Sequence, residues 1–194
     1  MRNLFFNHIC FSHNINLQIQ VFGKLPIYND YISFFTQRNA LSWQNFLVSK
    51  NSKQSKLFNE RSFFIFQFSK NKSIFVGVID NSSDGTRQFP FSVFVDCRQS
   101  WLKNYLIDSK LLFIFKELDS IFLNVKKIEN IDQCYQFLQQ KVITVENTKQ
   151  TINSLIKNIF KRSKQKIEWP YFEIFPIRDV YHQKKKGGRN AITI

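Results

Sequence analysis

Hydrophobic and polar residues alternate along 17–21, Leu17-Gln18-Ile19-Gln20-Val21, which is the period of a half-buried strand. The strand runs into Gly23, Pro26 follows three residues later, and Asn29-Asp30 then opens what reads as a helix. Gly allows backbone angles that other residues resist, and Pro fixes the exit direction. Asn tolerates a left-handed turn, and Asp is a good helix N-cap. The stretch therefore predicts a strand-to-helix corner. Residues 39–48 have helical spacing, with Leu41 and Trp43 beside the faces of Phe46, Leu47 and Lys50. Residues 51–60, rich in Ser and Lys, read as a loop or a frayed helix end.

Three strands follow. Residues 63–68, Phe63-Phe64-Ile65-Phe66-Gln67-Phe68, are almost wholly apolar, as in a strand buried on both faces. A turn at 69–72 leads into a second strand at 73–79, forming a hairpin. The polar loop 80–87 has strong turn chemistry. The third strand spans 89–95, with Pro90 near its start, where a missing N–H is tolerated. The second half predicts helices. One runs over 109–125, with Leu111, Leu112, Phe115, Leu118, Ile121, Phe122 and Val125 close to a 3.6-residue period. A second covers 132–142 with Tyr135, Phe137 and Leu138, and a third covers 148–162 with Ile152, Leu155, Ile156, Ile159 and Phe160. A last strand is expected at 169–175. The pattern predicts a single α/β domain over 17–182, an N-terminal extension at 1–16, whose Asn, His and Ser content argues against a regular element, and a mobile basic tail at 183–194.

Composition changes this picture in two ways. The 194 residues suit one domain with a substantial core, and 23 Phe make that core aromatic. The net charge is +14, from 28 Lys+Arg against 14 Asp+Glu. Such a balance fits nucleic acid, an anionic membrane or an acidic protein partner. It equally fits an A+T-rich coding sequence, which favours Lys, Asn, Ile and Phe together. Cys10, Cys97 and Cys134 are far apart and form no C-x-x-C pair, so neither a disulfide framework nor a zinc knuckle is indicated, and a reducing cytoplasm is expected. The first residues lose their apolar run at Asn7, unlike a signal peptide, and no run reaches the ~18 apolar residues of a membrane span.

Catalytic chemistry finds little support. His8-Ile9-Cys10-Phe11-Ser12-His13 has a metal-like spacing but no visible fourth ligand. Ser83, Asp84 and His182 supply triad residue types without a nucleophile elbow or an oxyanion hole. No Gly-rich loop suggests a nucleotide. No cofactor, metal or small-molecule substrate is expected, and the chain reads as a non-enzyme.

Three blocks in order resemble the type VI secretion accessory family TagF, also called ImpM. The first is Gly23-Lys24-Leu25-Pro26 followed by Asn29-Asp30-Tyr31, where the family has Gly-Lys-Leu-Pro and Gly-Asp-Phe. The second is Trp43-Gln44-Asn45-Phe46-Leu47, with Phe46 in place of a second Trp. The third is Ser82-Ser83-Asp84 and then Arg87-Gln88-Phe89-Pro90-Phe91, where the family has Ser-x-Asp and Gly-Arg-x-Phe-Pro-Leu. Thr86 stands where the family Gly precedes Arg, and the loop is one residue shorter. The resemblance covers about residues 17–96.

That resemblance implies an α/β/α sandwich like the TagF N-terminal domain, with a central, largely antiparallel sheet flanked by helices. It implies a cytoplasmic bacterial protein, recruited to the inner-membrane secretion complex. Its role would be non-catalytic, a post-translational regulator, usually a repressor, of assembly or firing. Implied partners are type VI secretion components, namely a forkhead-associated (FHA) domain scaffold protein or the membrane complex. The implied motif surface comprises Gly23, Lys24, Leu25, Pro26, Asn29, Asp30, Tyr31, Ser83, Asp84, Arg87, Phe89 and Pro90. Lys24 faces either a partner or solvent in the turn. Asp30 either caps a helix or pairs with Arg87. Phe89, Pro90 and Trp43 read as fold residues. The alternative to a secretion regulator is a basic module that binds nucleic acid, or a peripheral membrane protein using the cations at 184–189.

Overall fold

The computed structural model describes residues 13–25, 30–36, 40–51, 60–69, 73–83, 88–97, 108–147 and 171–178. They form seven strands and three helices in the order β1 (His13–Lys24), β2 (Tyr31–Phe34), α1 (Leu41–Asn51), β3 (Ser62–Gln67), β4 (Ile74–Ser83), β5 (Gln88–Cys97), α2 (Asp108–Val125), α3 (Ile131–Gln139), β6 (Val142–Asn147) and β7 (Tyr171–Pro176). The strands make one sheet in the order β2-β1-β5-β4-β3-β7, with β6 also paired to β1. Every pairing is antiparallel. This is the α/β architecture expected, an antiparallel sheet between helix layers.

Alternation within the strands builds the two layers. On one side, Val21, Phe63, Ile65, Val76, Val78, Phe91, Val93 and Val95 pack with Leu111, Phe115, Leu118, Phe122 and Val125 of α2 and with Cys134 and Leu138 of α3. On the other side, Phe22, Phe64, Phe66, Phe75 and Phe94 pack with Trp43, Phe46 and Leu47 of α1. β3 is consequently buried at all six positions, as its unbroken apolar run predicts. Gly77 makes room for the aromatic side. A Cβ there would lie 2.5 Å from the Phe64 ring and 2.6 Å from the Phe94 Cβ.

Polar groups fasten α2 to the sheet. Arg61 Nε lies 3.1 Å from Asp119 Oδ1, and Lys126 Nζ donates to Asp80 Oδ2 at 2.7 Å. α3 begins at Asn130, whose side chain accepts from the backbone N–H of Asp132 and Gln133.

Several expectations are corrected. The helix anticipated after Asp30 is the strand β2, which folds back on β1 with Lys24 opposite Tyr31 and Val21 opposite Phe34. A β-branched and aromatic run, Tyr31-Ile32-Ser33-Phe34, suits a pleated edge better than a helix. β1 starts at His13, inside the supposed extension, because alternation begins at Asn14-Ile15-Asn16. There it pairs with β6, and Thr144 Oγ1 donates to Asn16 Oδ1 at 3.0 Å. β6 itself replaces the end of the helix expected to reach Val142. Val142-Ile143-Thr144-Val145 alternates exposed and buried, and its β-branched side chains disfavour a helix. β4 runs through Asp80–Ser83, so the first half of the predicted polar loop is ladder opposite Gln88–Phe91. The buried stripe of α1 is Ala40, Trp43, Phe46 and Leu47, while Leu41 points outward at 53% exposure. The helix expected at 148–162, the tail at 183–194, Trp169-Pro170, His182, and the His8 and Cys10 of the metal-like spacing lie outside the described residues.

Cys97 and Cys134 are buried free thiols. Burial and, secondarily, the Asp96 charge push the Cys97 thiol far up, and burial pushes Cys134 from 9.0 up to about 11. The native state therefore holds protons that the unfolded chain releases above pH 9, and stability falls as pH rises from 9 towards 11. In a Cys10→Ser background neither thiol should react with a disulfide reagent at pH 8 until denaturant is added. Urea titrations at pH 8.5 and 11 should show a drop attributable to Cys134 of about 2 kcal/mol, absent in Cys134→Ala.

Candidate functional site

The three motif blocks meet where β1 and β2 join the start of β5. Gly23, one residue before the end of β1, has φ +133°, a conformation that L side chains rarely adopt. Its α-carbon is pressed on the neighbouring strand. A Cβ would collide with the Pro90 carbonyl oxygen and lie 2.7 Å from the Phe91 Cα. The Gly of the first block is thus shaped to the Phe-Pro-Phe of the third. Pro90 suits the position, because the β1–β5 ladder ends at Phe22 opposite Ser92 and makes no demand on a Pro90 N–H.

The second block enters from α1. Trp43 is fully buried and stacks on Phe64 at 4.3 Å between ring centroids, with 13° between planes. Its indole Nε1 donates to Ser92 Oγ at 3.2 Å, and Ser92 Oγ donates to the Phe22 carbonyl at 3.0 Å. One buried serine therefore links α1, β5 and β1 and satisfies the indole N–H. Ser92 escaped the sequence analysis. Its signal was a lone hydroxyl in the run Phe89-Pro90-Phe91-Ser92-Val93-Phe94.

Around this base the remaining motif residues divide sharply. Leu25 is buried in the α2-side core. Lys24, expected at a partner or in solvent, is fully buried, with Nζ 5.7 Å from the centroid of the Tyr31 ring. The strand β2 lies beside it, so the lysine stem is covered rather than turned outward. Phe89 is buried and meets Tyr31 edge-on at 4.4 Å and Phe22 edge-on at 6.0 Å. Tyr31 itself is 49% exposed, and Asp30 beside it is exposed. Ser83 ends β4 half-buried, opposite Gln88. Asp30 sits in a bend before a strand and caps no helix. Pro26, Asn29, Asp84 and Arg87 lie outside the described residues, as does any pairing of Asp30 with Arg87.

The corner is thus a rigid aromatic base with a tyrosine and a carboxylate on its outer side. Among the described residues, no group of three or more His, Cys, Asp or Glu stands together to hold a metal. No helix among them is long and apolar enough to cross a membrane.

No family model and no curated protein matches the sequence. Among solved structures, the chain is similar to PA0076 of Pseudomonas aeruginosa PAO1, at 17% identity and a TM-score of 0.46. The match covers 63% of this chain and 62% of that one, less than two thirds of its length.

Gly23→Ala should destabilise the fold by more than about 2 kcal/mol, because positive φ and the collision with Pro90 act together. Trp43→Phe should lose about 1–2 kcal/mol, from the hydrogen bond and the missing ring volume. Chemical denaturation of the two variants checks both, and a neutral Gly23→Ala would refute the close approach.

Proposed function

We propose that this chain is a non-catalytic accessory protein of bacterial type VI secretion, of the TagF kind. In this reading it works in the cytoplasm, is recruited to the inner-membrane complex, and represses assembly or firing by holding a scaffold component such as an FHA-domain protein. One observation carries the proposal. Five residues of the motif blocks, Gly23, Tyr31, Trp43, Phe89 and Pro90, come together at one corner: Gly23 on Pro90, Tyr31 on Phe89, and Trp43 through Ser92 to Phe22. Chance matches to short motifs have no reason to converge in space.

The outer side of the corner supplies the contact. Tyr31 offers a broad ring of restricted motion, steadied edge-on by Phe89, and Asp30 offers a carboxylate for a cationic or N–H donor group on the partner. With β2 seated, the packed residues beneath hold Tyr31 and Asp30 on one side of the corner, which lessens the ordering cost of binding.

The competing reading, a basic module for nucleic acid or membranes, gains nothing from the folded body. The described residues hold 9 Lys/Arg against 11 Asp/Glu, so 19 of the chain's 28 cations and only 3 of its 14 anions lie outside them. A charge-driven partner would have to be met by those other segments.

Affinity purification of tagged protein from its native cytoplasm at moderate salt, read by mass spectrometry, tests the proposal. Secretion components should co-purify, and Asp30→Ala/Tyr31→Ala should reduce their recovery about tenfold or more and relieve repression, with the circular dichroism unchanged. Recovery dominated by nucleic acid and ribosomal proteins, and lost at high salt, would instead favour the charge-driven reading.

A further inference from the structure

β2 is the smallest strand of the sheet, at four residues, and it ends the strand order beside β1. It nevertheless touches both helix layers. Toward α1, Gln44 Nε2 donates to Ser33 Oγ at 3.0 Å. Toward α3, both Phe34 and Phe35 lie against Tyr135. The Phe34 ring meets it edge-on at 5.5 Å, and the Phe35 ring stacks on it at 5.0 Å with 27° between planes.

Two consecutive residues of an extended strand point to opposite faces, so they cannot ordinarily share one ring. Phe35 does so because its φ is +57°. A left-handed backbone is disfavoured roughly tenfold or more for a residue with a bulky side chain. Phe35 is the one non-glycine residue with positive φ among those described. The conformation ends β2, swings the second ring onto the α3 side, and turns the chain toward α1 on the other face of the sheet.

From this geometry we infer that β2 is a hinged strap. Its closed state is held by the Phe34–Phe35–Tyr135 clasp against the strain at Phe35, and it opens locally, without unfolding of the remaining sheet. Ile32 is the one buried side chain of the strand, Tyr31 and Ser33 are exposed, and Phe34 and Phe35 pack half-buried against the α2–α3 core, so the apolar hold on the strap is confined to three side chains and Tyr135. Opening lifts Tyr31 from Phe89 and dismantles the outer side of the corner. By linkage, an occupant of Tyr31 tightens the clasp at Tyr135, and loosening Tyr135 weakens binding at Tyr31. The opening itself concerns the chain alone, whereas the linkage at Tyr31 rests on the proposed contact surface.

Native-state hydrogen exchange on the free protein tests it. The hydrogen-bonded amides of β2 should exchange at least tenfold faster than those at the centres of β4 and β5. Tyr135→Ala removes two aromatic contacts from a 42% exposed position. It should raise exchange in β2 by about another tenfold, leaving β4 and β5 within twofold, while Tyr135→Phe restores the wild-type pattern. Phe35→Gly, which relieves the strain but loses the stack, separates the two terms: β2 should then respond less than in Phe35→Ala. The strap would be overturned by β2 amides exchanging as slowly as those of β4 in the wild type. It would equally be overturned by Tyr135→Ala leaving β2 unchanged, or by its accelerating all strands alike.

Discussion

The close approach of Gly23 to the Pro90–Phe91 backbone is the constraint on which the rest of the corner depends. Two strands can come so near here because Gly23 carries no side chain and the β1–β5 ladder stops at Phe22 opposite Ser92. Given that contact, Phe22 is delivered to the α1 layer, its carbonyl faces Ser92, and the Trp43 indole finds a partner deep in the core. The same contact turns the chain so that β2 returns alongside β1. Without it, neither the aromatic base nor the exposed tyrosine would have its place.

The sheet's two faces answer different demands. The α2 and α3 side is largely aliphatic along the strands, with Val and Ile matched to a long regular helix. The α1 side is almost wholly phenylalanine around one tryptophan. A single helix of three turns covers its part of the sheet because each ring spans more area than a branched aliphatic side chain. Gly77 is the concession that lets those rings interdigitate. The corner stands at the boundary between the two regimes, which is why its residues come from both.

Strong local patterns were legible in the sequence. The all-apolar β3, the β3–β4 hairpin and the helical stripe of α2 follow from residue spacing alone, and so does the need for a special backbone at Gly23. Where prediction failed, a tertiary partner decided. Asp30 and the residues after it suit a helix start by local chemistry, yet they form a strand because β1 offers an open edge. The β6 segment is short and follows a helix directly, so its alternation of exposed and buried positions was absorbed into the preceding period. Lys24 could not be read as buried, since a cation in a Gly-x-x-Pro turn has no local reason to be, and the strand β2 paired beside it was not foreseen. Of the candidate site, the sequence held the participants but not their division into buried base and exposed contact. Residue type alone does not say which side of a hairpin a tyrosine or a lysine will take.

The near balance of charge on the described body, set against a whole chain with a pI near 9.8, separates two properties that are usually entangled. Among the described residues, hydrophobic layers on both faces of the sheet supply the cohesion, so added salt bears on the body less than on what the chain adheres to. A change in the number of cations along the sequence therefore retunes solubility and encounter rates without calling on the apolar layers that build the described body.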